Sequence, residues 1–105
     1  MEEPNLDFFE KLAKGDNAFM ARLVKALKED FNEDEAGYIA ALETRDFDSM
    51  VYRVHRIKHK AGILGLEKNY ILAGNYENDL KQKNLNLETD FQNTLEMISR
   101  FLKAL

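Results

Sequence analysis

Cysteine is absent from this chain, which excludes a disulfide framework and any thiolate metal site. Proline occurs once, at Pro4, and alternating apolar–polar strand patterns are missing, while Ala, Leu, Glu and Lys are frequent. An all-α fold is the expectation. No apolar run approaches the roughly 20 residues that a bilayer-spanning helix needs. The N-terminus is acidic, unlike the basic start of a signal peptide. There is no Gly-rich phosphate loop, internal repeat, low-complexity segment or linker long enough to divide the chain. With 105 residues, one domain with a single core is expected. The composition points to a soluble, cytoplasmic monomer that does not engage a membrane.

What is present is unevenly spread. The net charge is −4, yet between Asp48 and Glu67 there is no carboxylate, and Arg53, Arg56, Lys58 and Lys60 all fall there. A small basic patch on an acidic protein suits docking on an acidic pocket better than broad nucleic-acid binding, so no nucleic-acid partner is expected. In the same stretch Phe47, Met50, Val54, Ile57, Ala61 and Leu64 recur at helical spacing and form one buried face. At about 100° per residue, His55 and His59 fall outside that face and should both reach water. Gly62 lies on the flank of His55.

An exposed His, a Lys three residues later, small residues two turns on and a helix-ending Gly together resemble the histidine-containing phosphotransfer (HPt) domain. The positions are His55, Lys58, Gly62 and Gly65. His59 departs from the pattern, standing where a small residue is usual, and Val54 stands where Ala is common. Downstream, Tyr76-Glu77 fits the family's apolar-Glu pair. Upstream, Leu6-Asp7, Gly15-Asp16, Phe19 and Asp46 sit as in many such domains. The resemblance spans essentially residues 1–105.

The chain in order agrees with a helical layout. Residues 1–5 are expected to be a disordered lead. Asp7 to Lys14 reads as a short helix with Phe9 and Leu12 inward, ended by Gly15, with Asp16 capping the next helix. Asn17 to about Glu43 reads as one long helix. Its acidic run, Glu29 to Glu35, reads as a solvated face, and a bend near Asn32 to Glu35 is open, since Gly37 also weakens the helix by about 1 kcal/mol. Asp46 caps the His55 helix and Gly65 follows it in a left-handed conformation. Glu67 to about Lys83 is a further helix, with Asn69 awkward on its inner line. Asn86 is the expected cap of a last amphipathic helix running from Leu87 to Leu105. Short connections join these into an antiparallel up-down-up-down four-helix bundle with a short extra N-terminal helix.

A phosphate-relaying His needs an unhindered neutral nitrogen, a rigid support and a nearby cation. His55 meets the first two, and Lys58 can supply the third. The chain carries neither an acidic cluster placed to hold Mg²⁺ near His55 nor a general base beside it. It therefore reads as a phosphocarrier and not an enzyme, with no cofactor of its own. The resemblance implies that His55 takes phosphate from an aspartyl-phosphate receiver domain and passes it to another, and that the Mg²⁺ belongs to that receiver. It implies as partners a response regulator receiver domain, a hybrid sensor histidine kinase, or both, and phosphorylation at the distal ring nitrogen. Tyr52, Arg56, His59, Gly62 and Phe8 are the candidate partner-binding residues. Phe8 reads alternatively as cover for the end of the bundle, His59 as a solvated helix residue and Tyr52 as an incidental surface Tyr. The spacing of His55 and His59 also suits two metal ligands, but no other His or Cys exists to complete a zinc site, so no metal is assigned. The alternative to a relay is a non-phosphorylated four-helix interaction domain.

Overall fold

Two of the helices begin at an aspartate whose side chain caps the first turn. Asp16 accepts from the Phe19 N–H at 3.0 Å, and Asp46 accepts from the Ser49 N–H at 3.2 Å. These bonds satisfy backbone donors that a helix start leaves orphaned. Gly65, at φ +77°, turns the chain after the His55 helix, a conformation open to glycine at little cost. The computed structural model describes residues 2–105 and holds five helices among them: α1 (Asp7–Ala13), α2 (Asn17–Thr44), α3 (Phe47–Ile63), α4 (Glu67–Lys81) and α5 (Glu88–Lys103). No described residue is in a strand. No helix among the described residues is long and apolar enough to cross a membrane.

The molecule measures 44 × 25 × 19 Å, its long axis close to the roughly 42 Å expected for the 28 residues of α2. Helix α3 packs most extensively on α4 and then on α2, and α5 closes the far side against both. Phe31 and Tyr38 of α2, Met50, Val54 and Ile57 of α3, Tyr76 and Leu80 of α4, and Phe91, Leu95 and Ile98 of α5 are fully buried. Tyr38, Tyr76 and Phe91 form an aromatic cluster with ring centroids 5.0 to 6.2 Å apart. The two phenol oxygens inside it meet at 2.6 Å, so neither hydroxyl is stranded.

Several expectations are corrected. Helix α2 runs unbroken through the acidic stretch, and that stretch is not wholly solvated. Asp34 continues the line Leu27, Phe31, Tyr38, Ala41 and is fully buried. Gly37 is the place where the Arg53 side chain crosses α2, and a Cβ there would collide with its guanidinium. The lead is docked. The Glu2 carboxylate accepts from the backbone N–H groups of Lys68 and Asn69 at the start of α4, at 3.0 and 2.7 Å, and the Asn5 N–H donates to Leu64 O. Met1, the remaining residue of the expected lead, lies outside the described residues. Asn69 is at home because its side chain donates to Glu2 and accepts from Thr94 on α5. Leu12 is exposed and Ala13 takes the inward place on α1, while Leu105 lies beyond α5 and is exposed. Asn86 does not cap α5, which starts after Leu87 with no side-chain cap.

Candidate functional site

The buried line of α3 fixes the direction of His55. Val54 and Ile57 are fully buried, so His55 is turned outward, and its side chain keeps 49% of its exposure. On α4, Ala73, Tyr76 and Leu80 face the core, and Glu77, next to Tyr76, is carried to the border with α3. There its carboxylate meets His55 Nδ1 at 3.2 and 3.3 Å and the Lys58 ammonium at 3.1 Å. The Lys58 stem lies against Gly74 of α4, and Lys81 flanks the same carboxylate at 3.7 Å. One carboxylate, almost buried, therefore faces one imidazole and two ammonium groups.

A carboxylate accepts hydrogen bonds only, so the proton of His55 sits on Nδ1 and the lone pair of the neutral ring on Nε2. Burial alone would raise the pKa of Glu77, but the hydrogen bonds from Lys58 and His55 outweigh it and hold the group below its ordinary value of 4.5. Glu77 is thus ionised at neutral pH. His55 Nε2 in turn meets His59 Nε2 at 3.2 Å, with the two rings nearly perpendicular and their centroids 4.6 Å apart. Partial loss of water around the ring, then the positive neighbours, lowers the pKa of His59 from its ordinary 6.5. A neutral His59 can donate its Nε2–H to the lone pair of His55.

A second charged cluster stands one turn away on the α2 side. Arg56 Nε and Lys60 Nζ each reach a carboxylate oxygen of Asp34 at 2.7 Å, and Arg53 joins at 2.9 Å. These bonds overcome the effect of burial and lower the pKa of Asp34. The cluster ties α2 to α3 and absorbs three of the four cations counted in the sequence. Both arginines also lie over the Tyr52 ring, at 5.4 and 5.7 Å from its centroid.

Of the residues singled out in the sequence, His55, Lys58 and His59 are brought together. Gly62 is adjacent but not open, because Tyr70 lies over it and a Cβ there would come within 3.2 Å of that ring. Tyr52 and Arg56 are drawn to the Asp34 cluster, with Tyr52 56% exposed. Phe8 lies on α1, half exposed, with its ring tilted against Phe9. Sequence reasoning assigned no site role to Glu77, to Asp34 or to Tyr70, whose ring lies 5.7 Å from the Lys58 ammonium. A usable signal did exist for Asp34, which is in register with the buried line of α2. Glu77 stood out in the sequence only as part of the Tyr76-Glu77 pair of the resemblance, with no contact to His55 attached to it.

Among the described residues, no group of three or more His, Asp and Glu side chains converges to hold a metal ion. Comparison with family models, with curated proteins and with solved structures returns no match for this chain.

Proposed function

We propose that this chain is a phosphorelay intermediate of a two-component system, built as an antiparallel up-down-up-down four-helix bundle with a short extra helix. His55 Nε2 attacks the phosphorus of an aspartyl phosphate on a receiver domain. An N–P bond forms as the acyl-phosphate O–P bond breaks, and the aspartate leaves as a carboxylate. The carrier then hands the group to a second aspartate by the reverse chemistry. The observation that carries this reading is the contact between His55 Nδ1 and Glu77. It leaves the lone pair on the outer nitrogen and sets a negative charge where the ring becomes cationic as the N–P bond forms. Lys58, held on the same carboxylate, is near enough to turn toward the phosphoryl oxygens. The metal and the acidic pocket belong to the receiver.

A second reading, a non-phosphorylated interaction domain, draws on the fact that both nitrogens of His55 and the Lys58 ammonium already have partners. Mixing the chain with a receiver domain labelled on its aspartate separates the two. The relay transfers acid-labile, base-stable label to the wild-type chain and to His59→Ala, and none to His55→Ala. No transfer to the wild type, from any receiver of a panel, favours the interaction domain.

A further inference from the structure

We infer that His55 and His59 together form a surface site for a divalent transition metal ion, with Zn²⁺ as the probe, bound through the two Nε2 atoms. The two nitrogens point at each other from successive turns of α3 and stand 3.2 Å apart. Ligand nitrogens on a tetrahedral zinc ion, at their usual bond length, are about 3.3 Å apart. An ion entering from solvent replaces the hydrogen bond between the rings: His59 moves its proton to Nδ1, and each ring turns off the N···N line so that both Nε2 lone pairs converge on the metal.

A metal-bound imidazole characteristically donates its other N–H to a carboxylate, which fixes the tautomer and strengthens the ligand. Glu77 takes that part toward His55 Nδ1, at 3.2 and 3.3 Å, and is itself nearly buried. Among the described residues no third protein ligand is close, so water fills the remaining positions and the site is weaker than a structural zinc site. The charged groups facing the pair are Lys58 of α3 and Lys81 and Glu77 of α4. Glu77 neutralises part of the positive charge that opposes a cation. Tyr70 borders the site beside His59 without reaching it.

Metal and phosphate both take His55 Nε2, so each excludes the other. The test is calorimetric titration of the whole chain with ZnCl₂ at neutral pH, alongside the imidazole nitrogen signals by NMR. One Zn²⁺ per chain is expected, with the Nε2 signals of both histidines moving together. His59→Ala should weaken binding at least tenfold with unchanged helicity, and Glu77→Gln should weaken it by about 10-fold or more. Saturation that leaves either ring signal in place, an affinity unchanged in His59→Ala, or no binding at all would overturn the site. None of these readouts uses a phosphodonor, so a failed relay and a failed metal site are told apart.

Discussion

The carboxylate of Glu77 on α4 accepts the Nδ1 proton of His55 on α3, at 3.2 Å, and so decides which ring nitrogen carries the lone pair. The contact crosses between helices that share the largest interface in the molecule, which makes the orientation of the ring a property of the packed fold. Rigid support of this kind keeps the approach to a partner geometrically defined.

Removing that acceptor should slow phosphoryl transfer without unfolding the chain. Glu77→Gln keeps the shape but loses the charge opposite the developing imidazolium, and a drop of roughly tenfold in initial rate is expected, equal to about 1.4 kcal/mol of barrier. Lys58→Ala should give a drop of similar size by leaving the phosphoryl oxygens without a cation. Rapid-quench transfer assays with a labelled receiver check both. Rates equal to wild type would remove the two residues from the mechanism.

Asp34 should matter to stability and not to transfer. Its buried carboxylate holds Arg53, Arg56 and Lys60, and Asp34→Ala strands those cations at a cost of about 3 kcal/mol. In a domain of this size that lowers Tm by roughly 10 °C or more. Because folding lowers the pKa of Asp34, its contribution is complete above the ordinary value of 3.8 and disappears as pH falls below it. Thermal melts from pH 7 to pH 2 should show a steeper acid loss in wild type than in the variant. Parallel curves would contradict this.

The Tyr38 and Tyr76 hydroxyls should be strongly coupled. Either Tyr→Phe change alone leaves a buried phenol without its 2.6 Å partner, at about 1–3 kcal/mol. Tyr38→Phe with Tyr76→Phe removes both polar groups and should cost less than the sum of the singles. Urea unfolding of the four proteins in the cycle measures the difference, and additive losses would show that the hydroxyls act independently.

The parts of this fold that the sequence discloses are those governed by neighbours in the chain. Asp16, Asp46 and Gly65 mark helix boundaries because a cap or a left-handed turn depends on a few adjacent residues. The outward direction of His55 follows from the period of Val54 and Ile57. The rest depends on groups far apart in sequence. Asp34 looks like one more charge in an acidic run until Arg53, Arg56 and Lys60 are brought over it by the packing of α3. Glu77 gains a role only when α4 sets it beside His55, and Glu2 only when the lead folds back on the start of α4. Asn69 seems misplaced on a helix face until Glu2 and Thr94 surround it. Gly62, which suggests open space beside His55, is covered by Tyr70, a side chain supplied by the next helix.

Whether the outer nitrogen of His55 is the phosphoacceptor is read from NMR of the ¹⁵N-histidine-labelled chain after reaction with a phosphorylated receiver domain. Phosphorus bonded to Nε2 of His55 is expected, with Nδ1 still protonated against Glu77 and His59 unmodified. Phosphate found on Nδ1, on His59 or on neither ring would contradict it.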